Sequence, residues 1–187
     1  MVTGSNTARV CIEGAPVLFE KTMRHLLGEQ YKPQSEYGAI KDWITDNEGR
    51  GLLLMGNCGR GKTFIARNVI PRIYEGMAGK IVNFFRIVDI TTGEKIEEVK
   101  RCRFVVLDDV GTEQVLNEYG SKRLVFDELL DWSEYSGNIL IITTNLTGEQ
   151  LASRYGERVM ERLRSTTKRV LMHGESLRQT TGVRHTY

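Results

Sequence analysis

The sequence predicts an α/β fold in which a parallel sheet is sandwiched by helices. Three short stretches are almost wholly apolar over their central residues: "GLLLM" at 51–55, "CRFVVLDD" at 102–109 and "NILIITTN" at 138–145. Amphipathic segments with helical periodicity lie between them. Continuous apolar strands separated by helices are typical of a parallel sheet that is covered on both faces.

A short helical lead-in precedes this core. Apolar residues recur at helical spacing over 16–28, with a proline near the start and a glycine at the stop, and a second helix is predicted over 36–47. We therefore expect residues 1–48 to form the lead-in and residues 49–187 to form the core, without a separate second domain.

The remaining elements are predicted from the same patterns. The predicted helices are 62–76 (interrupted near Pro71), 118–135, 147–155 and 156–165, the last two hinged at Gly156. Two further strands are predicted at 80–85 and 168–174. The stretch 86–101 is polar and short, and its pattern leaves helix and loop both open.

The composition is that of a globular protein. The chain has 187 residues, of which 40% are hydrophobic and 27% charged. Its apolar runs are shorter than the ~18 residues that span a bilayer, and its first residues lack the pattern of a signal peptide. Three widely spaced cysteines without a C-x-x-C pair argue against a disulfide framework and a zinc site. We expect a cytoplasmic protein without a membrane contact.

Positive charge is concentrated at the C-terminal end. Residues 150–187 hold eight Lys and Arg against three Glu, whereas the first 149 residues hold 18 basic and 21 acidic residues. A basic end on a near-neutral body indicates an anionic partner such as nucleotide phosphate or nucleic acid. The alternative, equally compatible with the charge alone, is a basic surface that contacts only solvent.

A phosphate-binding loop is predicted between the first core strand and its helix. The segment "GNCGRGKT" at 56–63 matches G-x-x-x-x-G-K-[ST] with a strand before it and a helix after it. Glycines let backbone N–H groups converge on phosphate oxygens, and the helix N-terminus favours the same anion. The alternative is a flexible turn that contains a lysine. The predicted nucleotide-binding residues are Gly56, Asn57, Cys58, Gly59, Arg60, Gly61, Lys62, Thr63 and Phe64.

Two acids end a buried strand in "FVVLDD", at the edge of the sheet where α/β proteins bind ligands. Lys62 is expected to bridge the β- and γ-phosphates of a bound nucleotide, and Thr63 and Asp108 to hold Mg²⁺. Asp109 is expected to orient or deprotonate the attacking water. Without the preceding loop, two acids at this point would more simply signal a turn.

Two further polar positions complete the predicted site. Asn145 ends the strand "ILIITTN" and is expected to hold the water near the γ-phosphate, although asparagine also favours turns and helix caps. Arg158 and Arg162 lie one helical turn apart in "GERVMERLR". An arginine on this helix, Arg162 by preference, would stabilise γ-phosphate charge in a neighbouring subunit, or pair with Glu157 or Glu161 on a solvated face.

These motifs, with "RYGERVMERL" and "GESLR", resemble in order and interval the DnaC/IstB-like branch of the AAA+ P-loop NTPases over roughly residues 35–180. The resemblance implies Walker A at Gly56–Thr63, Walker B at Asp108 and Asp109, and sensor 1 at Asn145. It further implies an arginine finger at Arg162 and a sensor 2 arginine at Arg178. Members of this branch assemble as ATP-dependent oligomers on single-stranded DNA, where they deliver a replicative helicase or activate a transposase.

Two features depart from the family pattern. Walker B ends in Asp-Asp, where many AAA+ proteins have Asp-Glu; the shorter side chain would slow hydrolysis, although Asp-Asp is common in this branch. Only about 48 residues precede the core, where helicase loaders usually carry a helicase-binding module.

The resemblance implies an ATPase that binds ATP and Mg²⁺, self-associates and acts on single-stranded DNA as a helicase-loader-like replication factor. The alternatives are a transposition helper and a slow nucleotide-switched adaptor; a P-loop kinase of small molecules is disfavoured. The DNA contacts are open, because the candidates are equally well explained as surface charges: Arg86, Lys95, Lys100, Arg101 and Arg103.

Overall fold

The computed structural model describes residues 8–114, 116–118, 121–174 and 176–177. The strands are β1 (Gly51–Gly56), β2 (Val82–Arg86), β3 (Phe104–Asp108), β4 (Leu116–Glu118), β5 (Ser121–Arg123), β6 (Ile139–Thr144) and β7 (Thr167–Met172). The helices are α1 (Ala15–Leu27), α2 (Tyr37–Thr45), α3 (62–78), α4 (Gly93–Lys100), α5 (Val125–Ser136), α6 (Gly148–Tyr155) and α7 (Glu157–Thr166). Short 3₁₀ turns cover Gly28–Gln30 and Ile87–Asp89.

Five of the strands form one parallel sheet in the order β2-β3-β6-β1-β7. Parallel neighbours need crossover connections, and the helices of the core supply them. The register pairs Met55 on β1 with Thr144 on β6, and Leu107 on β3 with Ile142 on β6. The carboxyl ends of these three strands therefore lie side by side at one edge of the sheet. The predicted α/β fold is confirmed.

The sheet is buried on both faces, as its unbroken apolar strands predict. Successive residues of β1 point to opposite sides, so that Leu52 and Leu54 belong to one hydrophobic cluster and Leu53 and Met55 to another. The second cluster is completed by α4, α5, α6 and α7. The first is completed by α3 and by the two N-terminal helices.

The N-terminal helices pack against the core through a continuous apolar contact. Trp43 on α2 is fully buried, and its ring stacks on that of Tyr74 with 5.6 Å between ring centroids. The Trp43 indole N–H donates to the carbonyl of Arg50 at 2.8 Å, immediately before β1. Phe19 on α1 is also fully buried in this cluster. Residues of the lead-in therefore cover one face of the sheet.

Helix α3 contains the interruption that Pro71 predicts. It begins with Lys62–Phe64, continues as a π-helical segment over Ile65–Val69, and returns to α-helical geometry over Ile70–Ala78. Within the π-helical segment the Ile70 N–H donates to the carbonyl of Ile65, five residues back. Proline lacks an N–H and its ring collides with the carbonyl four residues before it, so a widened turn accommodates Pro71 without ending the helix.

Two stretches differ from or complete the sequence expectations. The helix predicted over 118–135 begins only at Val125, and the residues before it form the antiparallel pair of β4 and β5. The prediction was wrong there because the buried stripe of this helix starts at Val125 and Phe126. The undecided stretch 86–101 contains α4, which Thr92 caps by accepting from the Lys95 N–H at 3.4 Å.

Candidate functional site

The phosphate-binding loop follows β1 and is shaped by three glycines. Gly56, Gly59 and Gly61 have φ angles of 140°, 84° and 83°, a region that residues with a Cβ rarely adopt. A Cβ on Gly56 would lie 2.1 Å from the carbonyl oxygen of Met172 on β7, which is backbone and cannot move aside. The glycine is therefore required both by its conformation and by the close approach of β7.

Lys62 connects this loop to the end of β6. Its ammonium group donates to the carbonyl oxygens of Gly56 at 2.7 Å and Asn57 at 2.8 Å, and to Asn145 Oδ1 at 2.8 Å. The residue is only 5% exposed. A buried ammonium requires hydrogen-bond acceptors, and here they come from the two elements that are predicted to surround a γ-phosphate.

Asp108 lies beside Thr63 at the end of β3. Its Oδ1 accepts from Thr63 Oγ1 at 2.8 Å and from Thr143 Oγ1 at 2.7 Å, and the residue is 3% exposed. The two predicted magnesium ligands, Thr63 and Asp108, are thus in direct contact. A hydroxyl and a buried carboxylate are both oxygen donors, which fits the ligand preference of Mg²⁺.

Asp109 adopts a left-handed backbone conformation with φ 56°, which is uncommon for a residue other than glycine. Its N–H donates to Thr143 Oγ1 at 2.9 Å, and its Oδ1 accepts from Asn145 Nδ2 at 3.4 Å. The structure therefore brings Lys62, Asp109 and Asn145 to one place, with the amide of Asn145 between the lysine and the acid.

These groups open into a cavity of about 760 Å³, a volume suited to a nucleotide. Of the nine loop residues, Asn57 contributes its carbonyl to Lys62, as described above, and Gly56 packs against β7. The other loop residues line the cavity: Cys58, Gly59, Arg60, Gly61, Lys62, Thr63 and Phe64.

The far wall of the cavity comes from the N-terminal helices, which the sequence analysis did not connect with the site. Met23, Leu27 and Tyr37 are apolar or aromatic, and Gln30 and Lys32 are polar. The helical periodicity places Met23 and Leu27 on the same face of α1, but nothing in the sequence indicates that this face ends at a cavity.

Arg60 links the loop to the start of α2. Its guanidinium forms an ion pair with Glu36 and donates to Gln34 Oε1 at 3.0 Å. The Arg60 and Glu36 side chains are only 5% and 10% exposed. Burial acts to raise the pKa of Glu36, but hydrogen bonds from a backbone N–H and from Arg60 outweigh it and hold this pKa below its ordinary value.

The two candidate arginines of α7 differ in exposure. Arg162 contacts three acids of α5: it forms an ion pair with Asp131, lies 3.6 Å from Asp127, and donates from Nε to Glu134 Oε2 at 2.9 Å. Its side chain is 19% exposed, whereas that of Arg158 is 73% exposed and lies 3.3 Å from Asp131. The acids that Arg162 contacts lie on α5, whereas the alternative to a role in trans was a pairing with Glu157 or Glu161. Arg178, the predicted sensor 2 residue, lies outside the described residues.

The five basic residues considered for DNA binding have different surroundings. Lys100 bonds to Glu97 at 3.0 Å and Glu128 at 2.8 Å, and Arg103 donates to Asn138 Oδ1 at 3.0 Å. Arg86, Lys95 and Arg101 are exposed. None of the helices in the described ranges combines the length and the apolar composition that a membrane span needs.

A glycine-rich loop after β1 of a parallel sheet, with two acids at the end of β3 and one strand, β6, between them, defines a P-loop nucleotide-binding protein of the AAA+ type. Within that class, the chain belongs to the family of IstB-like ATP binding proteins, whose family model matches residues 36–184. The resemblance to the DnaC/IstB-like branch is thereby confirmed.

Individual relatives agree with this assignment. The replicative helicase loader DnaI of Bacillus subtilis (strain 168) is 33% identical over 85 residues, which cover 41% of this chain and 27% of DnaI. The crystal structure of the DnaC helicase loader has a TM-score of 0.64 at 22% identity and covers 78% of this chain and 95% of its own. The replication initiator DnaA bound to AMPPCP and single-stranded DNA has a TM-score of 0.57 at 16% identity, with coverages of 84% and 50%. The two structures share the fold of this chain.

Proposed function

We propose that this protein binds ATP with Mg²⁺, hydrolyses it, and acts on single-stranded DNA as a helicase-loader-like replication factor. The observation that carries the proposal is the meeting of Lys62, the Thr63–Asp108 pair and the Asp109–Asn145 pair at one cavity. An ammonium group, two oxygen ligands and a carboxylate beside an amide are the groups that phosphoryl transfer to water requires.

The loop and its lysine would bind the phosphates. Backbone N–H groups of the loop and the N-terminus of α3 attract the anion, and Lys62 would exchange its contacts with Gly56 and Asn57 for phosphate oxygens. The residues present fit a metal ion, because Thr63 and Asp108 offer oxygen ligands already in contact with each other. Mg²⁺ held there would neutralise charge on the β- and γ-phosphate oxygens.

Asp109 and Asn145 would act on the attacking water. The carboxylate of Asp109 accepts a proton or a hydrogen bond, while the Asn145 amide, which now bridges Lys62 and Asp109, holds the water between them. Asp109 is one methylene shorter than glutamate, so we propose slow turnover.

We propose that an arginine of α7 completes the site of a neighbouring subunit. The 73% exposure of the Arg158 side chain supports this residue as the group that reaches a neighbour. Arg162, bonded to acids of α5, would act in trans only after giving up these contacts, and otherwise attaches α7 to α5.

The proposed role in replication rests on the relatives. DnaI and DnaC are described as helicase loaders, and the DnaA structure contains a nucleotide analogue and single-stranded DNA. Because the match spans only 27% of DnaI, the partner of this chain is part of the proposal. The IstB-like description of the family favours a transposase as the second candidate partner. Pull-down of the tagged protein with ATP distinguishes the two. Recovery of a replicative helicase supports the replication role, and recovery of a transposase supports the second candidate.

Steady-state phosphate release with and without single-stranded DNA tests the proposed activity. Lys62→Ala should abolish ATP binding or turnover, whereas Lys80→Ala, a control at an exposed lysine, should leave both unchanged. Undiminished turnover in Lys62→Ala would overturn the site. Wild-type protein that binds ATP but releases no phosphate above background would instead support a nucleotide-switched adaptor.

Mixing experiments test the arginine. Arg158→Ala protein should bind ATP but hydrolyse it poorly, and Lys62→Ala protein should hydrolyse none. A mixture should regain part of the activity, because an intact Arg158 from one subunit then meets an intact site in another. If the mixture stays inactive while Arg162→Ala with Lys62→Ala recovers, Arg162 is the residue that acts in trans.

A further inference from the structure

Glu113 is a buried acid that has no role in the reaction proposed above. It follows β3 by five residues and is only 4% exposed. Burying a carboxylate is costly unless hydrogen bonds compensate for the lost water. The bonds that Glu113 makes therefore indicate why the chain keeps an acid at this position.

The carboxylate of Glu113 joins the loop after β3 to helix α6. Oε2 accepts from the Gly111 N–H at 2.8 Å, and Oε1 accepts from the Tyr155 hydroxyl. The carbonyl of Glu113 accepts from the Arg154 guanidinium. Tyr155 is 8% exposed, and its ring packs edge-to-face on Phe126 with 5.0 Å between centroids. The acid thus connects the loop to a fixed point in the core.

The loop that Glu113 joins is the one that carries Asp109. Thr112 donates to the Asp109 carbonyl from both its N–H, at 3.2 Å, and its hydroxyl, at 2.8 Å. Gly111 has φ 106°, and a Cβ there would lie 2.4 Å from Leu146 Cδ1. Asp109 itself is left-handed with φ 56°. A strained backbone of this kind persists only when the surrounding contacts hold it, and Glu113 supplies the contact at the far end.

Helix α6 is attached to the site at both ends. Its N-terminus is a capping box of Thr147 and Gln150, two residues after Asn145. Its C-terminus carries Tyr155, which bonds to Glu113. Burial, followed by the bond to Glu113, raises the pKa of Tyr155. The hydroxyl is protonated at neutral pH even without this shift, and it donates to the Glu113 carboxylate.

We propose that Glu113 is a positioning residue for hydrolysis, which holds the loop 109–113 so that the Asp109 carboxylate stays beside Asn145. This inference rests on the hydrolysis proposed above. Glu113 does not itself meet the nucleotide: it is not among the described residues that line the cavity. It acts through the backbone of Gly111 and through Tyr155.

Three variants separate positioning from general destabilisation. Glu113→Ala removes both bonds and should lower kcat about 10- to 100-fold, the loss that a small misplacement of a reacting group produces, while the Kd for ATP stays unchanged. Glu113→Gln should restore most of kcat, because the amide oxygen accepts from Gly111 and the amide nitrogen donates to a rotated Tyr155 hydroxyl. The kcat of Tyr155→Phe should lie between those of Glu113→Ala and Glu113→Gln.

Ser133→Ala serves as the control. It removes a buried hydroxyl that bonds to the Leu130 carbonyl at 2.8 Å on α5, without touching the loop, and should leave kcat unchanged. Wild-type kcat in Glu113→Ala, or equal losses in the Ala and Gln variants, would overturn the proposal. If Glu113→Ala does not fold, Tyr155→Phe decides: full activity in that variant contradicts the positioning role.

Amide hydrogen exchange of the nucleotide-free protein tests the positioning without any turnover. The Gly111 amide should exchange about fivefold faster in Glu113→Ala, the equivalent of one net hydrogen bond, but not in Glu113→Gln. Unchanged exchange at Gly111 in Glu113→Ala overturns the role of Glu113. Wild-type protein that releases no phosphate overturns the hydrolysis itself, so the two failures are distinguishable.

Discussion

The ion pair between Arg60 and Glu36 joins the phosphate-binding loop to the N-terminal helices, and its removal should be costly. The two side chains are 5% and 10% exposed, and Arg60 also donates to Gln34 Oε1 at 3.0 Å. Arg60→Ala would leave the Glu36 carboxylate buried without its cation. The free energy of unfolding should fall, because the folded protein then contains an uncompensated charge.

The size of the effect follows from this burial. Removing one partner of a buried ion pair typically costs about 3–5 kcal/mol. Glu36 keeps its hydrogen bond from Ser35 Oγ at 3.2 Å and lies near the open cavity, so we expect a loss at the lower end, about 3 kcal/mol. For a chain of this length, that lowers Tm by about 6–12 °C.

Urea denaturation of the nucleotide-free protein, followed by far-UV circular dichroism, measures the loss. Arg60→Met combined with Glu36→Leu removes both charges and should lie within about 1 kcal/mol of wild type, because apolar residues often replace a buried pair without loss. Two results would refute the reasoning. One is an Arg60→Ala variant whose free energy of unfolding falls by less than about 1 kcal/mol. The other is a double variant whose loss of stability equals the sum of the losses in Arg60→Met and in Glu36→Leu measured singly.

Four other predictions follow from the site. Gly56→Ala should prevent folding or cost several kcal/mol, because its Cβ would lie 2.1 Å from the Met172 carbonyl, and the yield of folded protein checks this. Asp108→Asn should raise the Mg²⁺ concentration needed for half-maximal phosphate release while ATP still binds without metal. Cys58 is exposed and lines the cavity, so saturating ATP should slow its alkylation, read by mass spectrometry. The pKa of Glu36 is lower in the folded protein than the 4.5 of the unfolded chain. The ionised carboxylate therefore stabilises the fold above pH 4.5, and this contribution is lost as the pH falls from 4.5 through the folded-state pKa. Urea denaturation at pH 5.5 and at about pH 3.5 should therefore show a smaller loss for Glu36→Gln than for wild type.

Much of the fold could be predicted because its signals are local. An unbroken apolar run is buried wherever it lies in a sheet, so β1, β3 and β6 were predicted close to their actual bounds. The glycine, lysine and threonine spacing of the loop is a requirement of phosphate chemistry and is readable without a structure. Helix α4 was left undecided because only Ile96 and Val99 face the core, too few to establish a period.

Other features depend on which residues the fold brings together. In the sequence, Arg60 is indistinguishable from the other residues of the loop. Its partners Glu36 and Gln34 lie 24 and 26 positions earlier in the chain. Arg162 was expected to pair within its own helix if it paired at all, but its acids lie on α5. Local periodicity contains no information about such partners.

The sequence by itself determined the class of the protein, because strand burial and phosphate binding each require particular residues at fixed, short spacings. Only the tertiary structure decided what surrounds the phosphate loop: the wall formed by α1 and α2, and the attachment of the Asp109 loop to α6 through Glu113. These contacts join residues far apart in the chain. Their existence depends on how the helices pack, and packing is a property of the whole fold.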